Sequence, residues 1–228
     1  MSLHSKVLVS LALLAAAQAQ KVGTNKPEVH PTLTWQKCTK SDTPTVTLKL
    51  QTLGNPNLTC ISMSWDLTIC KDPVAWAQNC ALEGGRGGGN YTNTYSISAN
   101  GNLLTMKFVT KSENTNVGSH VYLLKDNSTY ELFKLKNQEF TSDVDVSNLP
   151  CGLNGMLYFS EMAADGGMSK YPNNKAGAKY RTGYCDAQCP RDIKFINGEA
   201  NVLNWTRLSN NANLGGGRYG TCCSEMDI

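Results

Sequence analysis

The sequence predicts an all-β protein, an antiparallel β-sandwich carrying long loops. Three observations lead there. Apolar residues recur at every second position in short runs. Each run is bounded by Asn, Gly, Ser or Pro, the residues that turns require. Helical patterning is scarce, with residues 72–83 the one segment that reads as a helix.

The chain opens on a weakly basic start (His4, Lys6), a mostly apolar run over 7–17 and the small-x-small sequence Ala17-Gln18-Ala19. That pattern predicts a secretory signal peptide over 1–19 and a mature chain over 20–228. The apolar run falls short of the roughly 20 residues that a membrane span needs. No later segment is apolar enough, so no membrane partner is expected. Cleavage removes Lys6 and no acid, which takes the formal charge from +3 to +2. A charge so small and so dispersed excludes the clustered basic face that nucleic acid requires.

Val46, Leu48 and Leu50 alternate with Thr and Lys, giving a first strand. Residues 72–83 follow, with Asp72 as the cap, Pro73 in the first turn and Gly84 as the stop. The glycines of 84–89 superficially resemble a phosphate loop. A dinucleotide fingerprint must follow a strand and open a helix, whereas this run is expected to follow a helix and lead to polar residues. Alternation returns at Leu104, Met106 and Phe108, at Phe133 and Leu135, and at Val144 and Val146. The run 121–124 is short and apolar, and 156–159 is apolar throughout and reads as a buried strand.

From 152 to 213 amides, tyrosines, acids and glycines crowd onto long loops. Loops of this length in a domain are usually functional or disordered. Amides and acids pair with sugar hydroxyls, and flat rings stack on pyranose faces. Nine cysteines (38, 60, 70, 80, 151, 185, 189, 222 and 223) fit an oxidising compartment and disulfides. A zinc site from Cys185, Cys189, Cys222 and Cys223 is the alternative. Adjacent cysteines rarely wrap one tetrahedral ion. The odd count leaves at least one thiol unpaired, or paired outside this chain. Sequons stand at Asn57, Asn90, Asn127 and Asn204.

The last residues, Cys222-Cys223-Ser224-Glu225-Met226-Asp227-Ile228, alternate again. On a strand Glu225 and Asp227 share one face, while Met226 and Ile228 face a core. The vicinal cysteines are placed to pin this strand to the 185–189 loop, bringing Tyr184, Asp186 and Gln188 beside the acids. Spacing alone makes a solvated strand face the commoner outcome. The chemical alternative is retaining glycoside hydrolysis, which needs two carboxyl groups about 5–5.5 Å apart.

The stretches EVHPTLTWQKC, CGLNGMLYF, ADGGMSKYP, YCDAQCP, SNNAN and CCSEMDI resemble, in order, the fungal cellulases of glycoside hydrolase family 7. Cellobiohydrolases are the nearer group, because the SNNAN segment is retained. The resemblance implies a β-jelly roll whose concave face holds one cellulose strand and cuts β-1,4-glucosidic bonds with retention. Its motif E-x-D-x-x-E makes Glu225 the nucleophile and Asp227 the assisting acid. The acid/base would fall three residues after Asp227 and is absent from this chain. The expectation is therefore a jelly roll incomplete at its C-terminus and inactive as it stands.

The resemblance further implies substrate contacts at Asn154, Tyr158, Lys170, Tyr184, Asp186 and Gln188. It implies the disulfides Cys60–Cys80, Cys185–Cys223 and Cys189–Cys222, with a partner for Cys151 beyond this chain. Trp76 stands where Cys70 would find its partner, and Cys38 has no cysteine shortly after it. His120 replaces an expected arginine, Ala163 an expected aspartate, and 51–59 a longer tryptophan-bearing strand. No metal or organic cofactor is implied. The expected partners are cellulose and cello-oligosaccharides, for a secreted monomer. Two other readings stand beside this one: a cello-oligosaccharide-binding module without catalysis, and a cysteine-rich structural protein.

Overall fold

The computed structural model describes residues 29–52, 57–59, 72–79, 81–83, 90–112, 115–201, 203–209 and 211–228. The leader expected over 1–19, the glycine run 84–89, Cys70 and the Cys60–Cys80 pairing lie outside them.

Strand β1 (Thr32–Gln36) pairs with β2 (Thr45–Thr52), Leu33 opposite Leu48 and Trp35 opposite Val46. β3 (Asn57–Thr59) pairs with β4 (Ala81–Glu83). Between them lies helix α1 (Pro73–Asn79). Asp72 accepts from the Val74 and Ala75 N–H groups at 3.0 and 2.9 Å, as its cap reading requires. The helix stops short of residue 83 because the chain turns into β4, so the glycine run expected to follow a helix follows a strand instead.

A second helix, α2 (Tyr91–Tyr95), was not legible, since five residues are too few to show a 3.6-residue period. Asn90 caps it and Ser96 ends it in the left-handed conformation. β5 (Ile97–Asn100) and β6 (Leu103–Met106) form a hairpin turning at Gly101. β7 (Val109–Lys111) pairs with β8 (Thr115–Val117). β9 (Val121–Leu124) joins β2, making β1-β2-β9 the one three-stranded sheet among the described residues. Further pairs are β10 (Tyr158–Ser160) with β15 (Glu225–Asp227), β11 (Phe195–Ile196) with β12 (Glu199–Ala200), and β13 (Thr206–Leu208) with β14 (Asn211–Gly216). All these pairings are antiparallel, as the period-2 reading predicted.

The central sheet is covered on both faces, which is what positions the site. Leu50 on one face packs with Tyr91 and Ile97, flanked by Leu33, Val121 and Leu123. On the other face Leu124 packs with Tyr130 and Ala178, flanked by Tyr122 and Met162. Gln51, on that second face, is 1 % exposed. Its Nε2 donates to the carbonyls of Ala178 and Lys179 at 3.1 and 2.9 Å, which holds the long 162–182 loop against the sheet.

Two expected strands are not formed. Phe133 and Leu135 do alternate between half-buried and exposed neighbours, but residues 131–150 have no ladder partner among the described residues. Period-2 patterning reports which side a residue faces, not whether a strand lies beside it. Phe133 instead joins an edge-to-face cluster with Trp35, Phe140 and Phe159 at centroid distances of 5.2–5.6 Å. Val144 and Val146 are exposed, as are Met226 and Ile228. The core expected beneath Met226 and Ile228 is therefore not built by the described residues.

Candidate active site

Two short strands carry the candidate residues. In the β10–β15 register Tyr158 lies opposite Asp227 and Ser160 opposite Glu225. The ladder continues at both ends, from Glu161 N–H to Ser224 O and from Ile228 N–H to Leu157 O. Directly opposed residues point to the same side of a sheet, so Tyr158, Ser160, Glu225 and Asp227 share one face. Phe159 and Met226 take the other. The paired-carboxylate face expected from the alternation is present.

Two disulfides fasten the adjoining loop to this strand. Cys185 bonds Cys223 and Cys189 bonds Cys222, with Cα separations of 5.5 and 4.2 Å. These are the two pairings the resemblance implied, and they leave no thiols for the zinc alternative. Asp186 forms a parallel bridge with Cys222, and its carbonyl accepts from Cys223 N–H at 3.0 Å. Ser160 Oγ donates to the Cys185 carbonyl. Gly183 turns the chain into this segment with φ +86°, and a Cβ there would stand 2.7 Å from the Gly166 carbonyl oxygen. Among the described cysteines, Cys38 and Cys151 are free and exposed.

The pinned loop brings Asp186 and the backbone of Ala187 to the acid face. Ala187 N–H donates to Glu225 Oε2 at 3.1 Å. Asp186 is held at both oxygens, accepting from Tyr184 OH at 2.5 Å and from Gln188 N–H at 2.8 Å. The Tyr158 and Tyr122 hydroxyls bond each other, and the Tyr122 ring lies 5.5 Å from that of Tyr184. His120 meets the edge of Tyr158 at 6.3 Å. Burial pushes the Tyr122 and Tyr184 hydroxyls well above the ordinary tyrosine range. Burial also raises Tyr158; bonds to Tyr122 and Tyr184 oppose this, and the negative charges of Glu225 and Asp186 add to it. All three tyrosines are thus neutral donors and acceptors beside the acids.

Of the residues named by resemblance, Tyr158, Tyr184, Asp186, Glu225 and Asp227 gather here. Gln188 sits at the rim with its side chain exposed. Asn154 is exposed and donates from Nδ2 to Met156 Sδ at 2.9 Å. Lys170 is elsewhere. It lies over the Tyr171 ring at 5.3 Å and lines a cavity of about 540 Å³ with Glu161, Asn173, Asn197 and Ser224. Tyr184 borders that cavity, but Asp186, Glu225 and Asp227 do not.

Sequence reasoning missed Tyr122, Ser160 and the Ala187 N–H. Tyr122 had one available signal: a hydroxyl in an otherwise aliphatic strand needs a buried partner. Backbone donors such as Ala187 N–H leave no signal in residue identity. Among the described residues, no group of three His, Cys, Asp or Glu side chains is placed to hold a metal ion.

A carboxylate fixed by a backbone N–H, a second acid two residues along the same face and a flanking Tyr–Asp–Tyr array suit a polyhydroxylated substrate. Known proteins agree. The family model for glycosyl hydrolase family 7 matches residues 22–228. The crystal structure of a GH7 family cellobiohydrolase from Daphnia pulex is 43% identical, with TM-score 0.81 over 92% of this chain and 49% of that one. A cellobiohydrolase from Melanocarpus albomyces, complexed with cellotetraose, is 40% identical, with TM-score 0.78 over 92% of this chain and 50% of that one. An endoglucanase I complexed with cellobiose is 34% identical, with TM-score 0.72 over 92% and 50%. The chain spans about half the length of these structures.

Proposed function

Because the chain belongs to glycosyl hydrolase family 7, we propose that it carries the nucleophile side of a secreted cellulase that hydrolyses β-1,4-glucosidic bonds with retention. Its strands are those of the family's β-jelly roll. The observation that carries the reading is Glu225, set on the same face as Asp227 and held by Ala187 N–H.

In this reading Glu225 attacks the anomeric carbon and forms a glycosyl-enzyme ester. The Ala187 N–H keeps the attacking carboxylate aimed, and Asp227 assists beside it. Tyr158, Tyr184 and Asp186 bind sugar hydroxyls, with Gln188 at the rim. Asn154 and Lys170 are outlying contacts, and Lys170 serves only a glucan that reaches past Tyr184. Cellobiohydrolase action is favoured over endoglucanase action by the retained SNNAN segment and by the higher identity to the cellobiohydrolases. Cellulose and cello-oligosaccharides are the proposed partners.

The test separates the nucleophile from the general acid. A 2-deoxy-2-fluoro-β-cellobioside with a dinitrophenolate leaving group departs without proton assistance. The fluorine slows hydrolysis of the ester that forms. Incubation with the chain, digestion and mass spectrometry should place the fluorocellobiosyl adduct on Glu225, and Glu225→Gln should abolish it. Binding of cellotetraose without any adduct would instead identify a binding module and overturn the catalytic assignment.

A further inference from the structure

Four sequons were read in the sequence, and the proposed chemistry uses none of them. The structure sets three of them apart from one another, the Asn57 side chain lying outside those described. Asn90 is occupied with folding. Its Oδ1 accepts from Asn93 N–H at 2.8 Å to cap α2. Tyr91 beside it is buried, and Thr92 Oγ1 donates to the Ile97 carbonyl at 3.3 Å. Asn127 is exposed, but its Oδ1 accepts from Lys49 Nζ across the sheet. Both asparagines have a structural reason to be there.

Asn204 differs. It is exposed, in a turn with φ +54°, a left-handed conformation that asparagine tolerates better than most residues. Its carboxamide makes no hydrogen bond to another described residue; its backbone carbonyl accepts from Thr206 Oγ1 at 3.4 Å. Thr206, the hydroxyl residue of the sequon, is exposed at the start of β13. Two leucines flank the turn in the open, Leu203 at 40 % and Leu208 at 52 % exposure. Exposed apolar side chains at a hairpin base invite self-association unless something polar covers them.

We propose that Asn204 carries an N-linked glycan that covers Leu203 and Leu208 at the foot of the β13–β14 hairpin. In the transfer, Asn204 Nδ2 bonds C1 of the reducing-end N-acetylglucosamine of a lipid-pyrophosphate oligosaccharide. The C1–O bond to pyrophosphate breaks, the lipid pyrophosphate leaves and the amide gives up one proton. The glycan is bulky and soluble. This inference requires passage through a secretory compartment and does not depend on Glu225.

The whole chain should be secreted behind a generic leader from a glycosylating eukaryotic host. Digestion after peptide-N-glycosidase treatment in ¹⁸O water then reads each sequon. Most copies should carry ¹⁸O-labelled aspartate at position 204, and Thr206→Ala should remove that label while leaving Asn204 in place. A predominance of unmodified Asn204 would overturn the site. Enzymatic removal of the glycan from folded wild-type protein tests its role without a folding variant. Light scattering should then rise at least twofold at the same concentration, and unchanged scattering would refute the covering function.

Discussion

The backbone N–H of Ala187 donates to Oε2 of Glu225 across 3.1 Å, joining residues 38 positions apart in the chain. The contact exists because two disulfides hold the 185–189 loop against the strand that carries the acid. Hydrogen bonds to ionised groups contribute about 1.5–3 kcal/mol.

Ala187→Pro deletes that donor. The preceding Asp186 is extended in its bridge with Cys222, a conformation that proline accepts in its neighbour. Formation of the Glu225 adduct should slow about tenfold, corresponding to about 1.4 kcal/mol. Timed mass spectrometry of the fluorocellobioside reaction measures it, with Ala187→Gly as the variant that keeps the N–H and the rate.

The buried tyrosines predict an alkaline limit. Tyr122, Tyr130 and Tyr184 have hydroxyls raised above their ordinary value of 10.0, chiefly by burial. The unfolded chain therefore loses protons above pH 10 that the folded chain keeps. Stability is unaffected by these groups below pH 10 and falls as pH rises past it. Urea midpoints measured from pH 8 to 11.5 should drop beyond pH 10, and less steeply in Tyr122→Phe.

Cys185 and Cys223 are 38 positions apart, and their disulfide restrains the unfolded chain. Because Cys189–Cys222 still closes most of the same loop, replacing both with serine should cost about 2 kcal/mol in urea unfolding. It should also weaken cello-oligosaccharide binding, measured by calorimetry, because Asp186 and Ala187 lose one of the two disulfides that anchor them to the acid strand.

Asn201 is 1 % exposed and ties together the segments that lead into the last strand. Its Nδ2 donates to the carbonyls of Arg191, Ile193 and Tyr219, and its Oδ1 accepts from Tyr219 N–H at 3.0 Å. Asn201→Ala leaves the Ile193 and Tyr219 carbonyls and the Tyr219 N–H, all part-buried, without this partner, each costing about 1 kcal/mol. A destabilisation of about 3 kcal/mol is expected in denaturant titration, with Asn201→Asp recovering only the Oδ1 bond.

Much of this protein was legible from residue types and their spacing. Alternation over Val46, Leu48 and Leu50 marked β2, and Asp72-Pro73 marked the start of α1. The E-x-D spacing of Glu225 and Asp227 put both acids on one face, since a strand's side chains alternate with a period of two. The quoted motifs carried the family and two disulfides. These are local properties, written in the order of the chain.

Tertiary structure alone decided the rest. It left 131–150 without a ladder partner among the described residues, although Phe133 and Leu135 alternate as strand residues do. It sent Lys170 to a cavity that Glu225 does not line, and it made Tyr122 part of the site by joining its hydroxyl to that of Tyr158. It also supplied the Ala187 N–H, a donor that every residue except proline owns. Periodicity determines the side on which a residue stands. Which distant segment meets it there depends on how sheets, loops and disulfides close in three dimensions, and no local pattern encodes that.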